Sequence, residues 1–155
     1  MNDALIRTAF DLHRAGRLAE AARLYGDVLS ANPRHLDALF LLGSVHFQLG
    51  DSAAALARFD QALAIKPDMC DALAGRGAAL SSMHRHQEAL AAYDGALAVR
   101  PSHVQALNNR GNTLLALRRE AEALASYDKA LAIKPDYADA HVNLDAALRA
   151  AGGAY

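Results

Sequence analysis

Residues 55–68 read ALARFDQALAIKPD, residues 89–102 read ALAAYDGALAVRPS and residues 123–136 read ALASYDKALAIKPD. Residues 21–34, AARLYGDVLSANPR, follow the same plan. Pro33, Pro67, Pro101 and Pro135 therefore stand 34 residues apart. Working outward from the prolines, Ala21, Ala55, Ala89 and Ala123 share one register position. Tyr25, Phe59, Tyr93 and Tyr127 share the next, and Leu29, Leu63, Leu97 and Leu131 a third. A fixed period of this size marks an array of small supersecondary units, each of which buries its apolar face only by stacking on a neighbour. The units span residues 2–35, 36–69, 70–103 and 104–137.

Each unit reads as two helices. In the second, Leu36–Leu49 carries one helical apolar pattern, Gly50-Asp51 the turn, and Ser52–Lys66 another. Gly16 marks the same turn in the first unit, where the helix end needs a left-handed residue. His84 and Arg118 replace it in the third and fourth units, so those turns should be strained. Each proline ends a second helix, because it lacks an N–H and pushes its predecessor out of helical geometry. Asp3, Asp37, Asp71 and Asp139 sit early in first helices, facing the positive helix end. Small residues recur at Ala9, Gly43, Gly77 and Gly111, where two helices must approach closely, and the alanine series at 21, 55, 89 and 123 is expected opposite them. After Pro135 comes one more first-type helix, 138–151, whose small-residue position is Asp145. A carboxylate is tolerated there if that face meets water, as in a terminal cap. The alternative is one stretch of a longer array, since Gly152 sits where a next turn starts.

Composition agrees. Alanine and leucine dominate and tryptophan is absent, which favours helix over strand. The 155 residues suffice for a single domain, 1–155, burying about two thirds of its unfolded surface. Sixteen basic residues against 17 acidic ones argue against nucleic acid or an anionic membrane as partner. No apolar run approaches the length of a membrane span, and no secretory leader is visible. The lone Cys70 forms no internal disulfide and has no activating neighbour in sequence, so cytoplasmic residence and an inert thiol are expected.

The period, the helix pairs and the Leu39, Leu42-Gly43, Ala55, Phe59 and Pro67 positions resemble the tetratricopeptide repeat. The resemblance covers residues 2–151. It implies an all-α, right-handed superhelical solenoid of four helix pairs and one capping helix, with first helices lining a concave groove. It further implies a non-catalytic adaptor that holds a peptide or helix of another protein. The run Asn108-Asn109-Arg110-Gly111-Asn112 is similar to repeats that precede bacterial O-linked N-acetylglucosamine transferase-type domains, where first-helix asparagines bind a peptide backbone. The corresponding positions here are Arg7, Leu41, Gly75, Asn109 and Asn143, a partial match. The carboxylate clamp of chaperone-binding members has no counterpart at Ile6, Phe10 and Leu41.

On that resemblance, Ile6, Phe10, His13, Phe40, Ser44 and Phe47 line an apolar N-terminal half of the groove. Ala74, Ala78, Asn108 and Asn112 line a small and polar C-terminal half. Phenylalanines outside the repeat's own core positions present roughly a few hundred Å² of apolar surface, which tends to mark a binding site. Packing between neighbouring first helices, or contact with another copy of the chain, would also account for them. Asn108 and Asn112, one turn apart, offer paired donors and acceptors to an extended backbone. Arg76 and Arg110 are expected to form buried pairs with Asp60, Asp94 or Asp128 across the helix interface. His46 falls on a core-facing position and is expected to be a hydrogen-bonded interior histidine. His35, His84, His86 and His103 find no Cys or acidic residue that completes a ligand set, so no metal or other cofactor is expected. No phosphate loop, nucleophile elbow or triad is present. The two rivals to an adaptor are a self-assembling structural element, a homo-oligomer, and the substrate-recognition part of a larger glycosyltransferase.

Overall fold

The computed structural model describes residues 2–152; Met1 and the final Gly153-Ala154-Tyr155 lie outside them. Among the described residues there are nine helices and no strand. They are α1 (Asn2–Arg14), α2 (Leu18–Ala31), α3 (Leu36–Gln48), α4 (Ser52–Ile65), α5 (Cys70–Ser82), α6 (His86–Val99), α7 (Val104–Ala116), α8 (Glu120–Ile133) and α9 (Ala138–Gly152). Every helix packs on the next in the chain. Odd-numbered helices also touch the next odd-numbered helix, from α1 on α3 through α7 on α9, whereas even-numbered helices do not touch one another among the described residues. The first helices of the pairs therefore form the tighter, inner layer of a solenoid.

The prolines and turns act as their sequence positions imply. Residues before the prolines, Asn32, Lys66, Arg100 and Lys134, are driven extended at φ between −131° and −140°, and each N–H closes the last helical turn. The inner turns are left-handed at Gly16 (φ 78°) and Gly50 (φ 82°), and also at His84 (φ 59°) and Arg118 (φ 61°), where a side chain crowds the backbone. His35 and His103 serve as helix caps. Their Nδ1 atoms accept the backbone N–H of Ala38 at 3.3 Å and of Ala106 at 3.1 Å.

The core runs along the seam between the two layers. Tyr25, Phe59, Tyr93 and Tyr127 are buried, as are Ala21, Ala55, Ala89 and Ala123. The small-residue positions face the aromatic rings rather than the alanine series. A Cβ on Gly43 would lie 2.8 Å from the Phe59 ring, on Gly77 2.6 Å from that of Tyr93, and on Gly111 2.5 Å from that of Tyr127. The aromatic ring is thus the knob, and the glycine the hole that accepts it.

Two expected pairs form, but not in the interior. Arg76 Nε donates to Asp60 Oδ1 at 2.7 Å and Arg110 Nε to Asp94 Oδ1 at 2.8 Å, joining consecutive repeats. The aspartate side chains keep 49% and 58% of their exposure, so these are rim pairs. Arg110 also reaches inward, donating from Nη1 to the buried Ser126 Oγ at 2.8 Å. His46 is half-buried, and no side-chain hydrogen bond of it is found among the described residues, so it is not the satisfied interior histidine expected.

Candidate functional site

A cavity of about 730 Å³ opens on the inner layer across α3, α5 and α7. Its apolar wall comes from Phe40 and Phe47 on α3, with Ala74 and Ala78 on α5. Gly75 lies between those alanines, and its missing side chain makes room for the ring of Phe59, which packs behind it and stays buried. A Cβ on Gly75 would come within 2.6 Å of Phe59 Cζ, and one on Gly43 within 2.8 Å of Cε1. One ring is therefore clamped between two glycines of adjacent first helices. Phe40 leans on it at 6.0 Å between centroids, tilted 45°. Phe40 and Phe47 are each half-buried against the core while lining the cavity, so packing and groove roles coexist in the same side chains.

The opposite wall is polar. Asn109 and Asn112 on α7, with Gln105, face Ser81 and Ser82 of α5. Tyr127 Oη donates to Asn112 Oδ1 at 2.6 Å, which fixes that amide with its NH₂ toward the exposed side. Ser81 Oγ and Thr113 Oγ1 lie 3.0 Å apart and tie α5 to α7. At the rim, Asp71 Oδ1 accepts from His103 Nε2 at 3.0 Å and from Arg100 Nη2 at 3.2 Å. Because His103 Nδ1 is occupied as a cap, Nε2 carries the proton and donates to the carboxylate.

Of the residues expected in the groove, the structure brings together Phe40, Ser44, Phe47, Ala74, Ala78 and Asn112. Ile6, Phe10 and His13 are on α1, away from this cavity; Phe10 is 42% exposed and Ile6 and His13 are half-buried. Asn108 does not offer its amide to a partner. It is 4% exposed, its Oδ1 accepts from Asn143 Nδ2 at 2.9 Å, and its Nδ2 points to Asn109 Oδ1 at 3.4 Å. The terminal helix α9 has claimed it. Phe59 and Asp71 line the cavity without having been expected there; Gly75 and Asn109, two of the five positions that correspond to peptide-binding asparagines, line it as well. Cys70 is half-buried with its Sγ 3.2 Å from the Ala96 carbonyl, and burial pushes its thiol up from the ordinary range.

No group of three or more His, Cys, Asp or Glu side chains suited to a metal ion occurs among the described residues. None of the described helices is long and apolar enough to cross a membrane.

Helix pairs at a fixed period, an aromatic knob in a glycine hole at each of three pairs, and a groove on the first-helix layer define a helical-repeat solenoid. The family model "Tetratricopeptide repeat" matches residues 9–69 and 75–138, and the chain belongs to that family. Among solved structures it is similar to TTC0263, a thermophilic tetratricopeptide repeat protein of Thermus thermophilus, at 23% identity and a TM-score of 0.86 over 98% of this chain and 84% of that one. MamA (41-end) of Desulfovibrio magneticus RS-1 aligns at 20% identity and a TM-score of 0.84, covering 95% of this chain and 83% of that one. YrrB, described as a tetratricopeptide repeat protein with an unusual peptide-binding site, aligns at 24% identity and a TM-score of 0.79, covering 90% and 72%. Identities this low establish a shared fold. No curated protein sequence matches the chain.

Proposed function

We propose that residues 2–151 form one non-catalytic interaction unit, working in the cytoplasm, that holds a short segment of another protein in the inner-layer groove. The observation that carries this reading is the cavity of about 730 Å³ across α3, α5 and α7, apolar on one wall and amide-lined on the other. Concave sites with apolar linings and a few placed polar groups are the usual form of a binding site. The amides of Asn109 and Asn112 suit a polypeptide backbone, and the phenylalanines suit its apolar side chains. The helices that build the cavity are packed on both flanks, so little of the binding energy is lost to ordering this side. The peptide-binding site described for YrrB supports the same reading by analogy of fold.

Selection of a random-peptide display library on the purified chain tests it. A Phe40→Asp/Phe47→Asp variant, with its helicity checked by circular dichroism, serves as counter-target. Enriched peptides that share a motif and lose binding to the variant are expected. Enrichment indifferent to both phenylalanines, or none, overturns the groove. Self-assembly then becomes the better reading, since Phe10 on α1 and Val142 and Leu148 on α9 are exposed apolar side chains at the two flanks of the array. A mass that rises with concentration in sedimentation equilibrium would mark that case.

A further inference from the structure

One hydrogen bond gives the polar wall of the cavity a direction. Tyr127 is buried, and its Oη donates to Asn112 Oδ1 at 2.6 Å. Among the described residues this hydroxyl has no other acceptor, and burial, which pushes the phenol up to about 12, keeps its proton in place. Turning the Asn112 amide over would set an NH₂ against that O–H and leave the buried proton unmet, so the amide is held one way round. Its oxygen is spent on Tyr127, and its NH₂ is what the exposed Asn112 offers the cavity. The pair is particular to the fourth repeat, since Phe10, Ser44 and Ala78 stand at the position of Asn112 in the earlier ones. The facing side has the opposite polarity. Ser44 Oγ donates to the Phe40 carbonyl at 3.1 Å. Thr113 Oγ1 donates to the Asn109 carbonyl at 3.1 Å, which makes Ser81 the donor in its 3.0 Å contact with Thr113. Both serines line the cavity with their protons spent on protein oxygens, and only lone pairs are left to offer.

We infer that Tyr127 is a positioning residue for the groove: by holding Asn112 it makes the α7 wall a donor, so that the bound segment turns a backbone carbonyl toward Asn112 and the N–H of the same peptide group toward the serines of α3 and α5. This deepens the groove reading above and rests on it. A trans peptide group points its C=O and its N–H in opposite directions, which matches a donor on one side and hydroxyl lone pairs on the other. A segment that turns an N–H toward Asn112 meets donor with donor, and the amide cannot turn over without stranding the Tyr127 proton. A carboxylate would also accept from Asn112, but no lysine or arginine lines the cavity, and His103 and Arg100 at its rim are already bonded to Asp71. The desolvation of that second carboxylate would go unmatched, whereas a neutral carbonyl avoids it. The bond from Tyr127 also polarises the amide and strengthens its outward N–H as a donor.

The experiment starts from the peptides enriched on the unmodified chain. Each peptide bond in turn is replaced by an ester, which removes the N–H and keeps a carbonyl, or by a trans-alkene, which removes both. Fluorescence anisotropy gives their affinities for the unmodified chain, Asn112→Asp and Tyr127→Phe, and circular dichroism checks each fold. At one bond the alkene is expected to weaken binding roughly three- to tenfold more than the ester does, the size of one hydrogen bond. Asn112→Asp keeps an acceptor for Tyr127 but has no donor, and there the contrast is expected to vanish. Tyr127→Phe leaves Asn112 in place but free to turn, and there the contrast is expected to shrink. A Tyr127 that is only structural would lower every affinity by one factor and leave the contrast as it was. A contrast found at no bond, kept in Asn112→Asp or unchanged in Tyr127→Phe overturns this inference, and peptides that still depend on Phe40 and Phe47 then leave the groove standing. Peptides indifferent to the phenylalanines, or no enrichment, remove both.

Discussion

Tyr25 and Tyr127 occupy one register position and are both buried, yet their hydroxyls differ in fate. Tyr127 Oη donates to Asn112 at 2.6 Å. The residue three periods before Asn112 is Phe10, which offers no acceptor, and Tyr25 Oη has no partner among the described residues. Burial pushes both phenols up to about 12. A buried hydroxyl without a partner is a cost, and a bonded one a modest gain. Tyr25→Phe, which copies Phe59, is therefore expected to be neutral or to stabilise by up to about 1 kcal/mol. Tyr127→Phe is expected to destabilise by about 0.5–1.5 kcal/mol. Urea unfolding of both variants checks this, and equal losses would show that Tyr25 has found a partner of its own. The aromatic series was legible from sequence because it repeats. The hydroxyl partners were not, because each depends on what another helix places at one position. Asn108 shows the same limit: its helix face was read correctly, but the approach of Asn143 across from α9 takes up its amide.

At the scale of the helix pair, the left-handed turn was the most legible element. Gly16 and Gly50 announce it, and period alone locates it at His84 and Arg118. A non-glycine residue in that conformation is strained by roughly 1–2 kcal/mol, offset in part by the greater freedom glycine has when unfolded. Arg118→Gly is expected to raise stability by about 0.5–1 kcal/mol, seen as a higher melting temperature. Arg118 is the cleaner site, since His84 also packs edge-on against His86 at 5.8 Å. An unchanged or lowered melting temperature would mean that the arginine side chain makes up for its own strain. The partner of each close-approach glycine was harder to read. Helical spacing shows which residues share a face, but which of them fills the hole depends on the axial offset of two helices. That offset sets the ring of Phe59, Tyr93 or Tyr127 against the glycine, not the alanine four residues earlier. What packs against Gly75 was illegible for a related reason. Its importance lies in a ring from the preceding repeat, visible only once the repeats are stacked.

At the scale of the molecule, each helix is held by its neighbours alone, so stability approximates a sum of pair and interface terms. The terminal helix α9 rests on α8 and α7, and α1 on α2 and α3, while α5 is flanked by α3, α4, α6 and α7. Local opening should follow that difference. Hydrogen exchange is therefore expected to show the least protected amides in α9 and α1, and the most protected in α5 and its direct neighbours. The cavity is built on α3, α5 and α7, which places it on the doubly flanked part of the array. A site on that part is formed before any partner arrives. Binding of a selected peptide should then slow the exchange of α5 by about the factor 1 + [L]/Kd, since its amides open only with the array as a whole and the peptide binds only the closed array. If α5 exchanges as fast as α9, the groove is not preformed. Ordering it would then consume part of the binding energy, and the selected peptides would bind correspondingly more weakly than the cavity's apolar wall suggests.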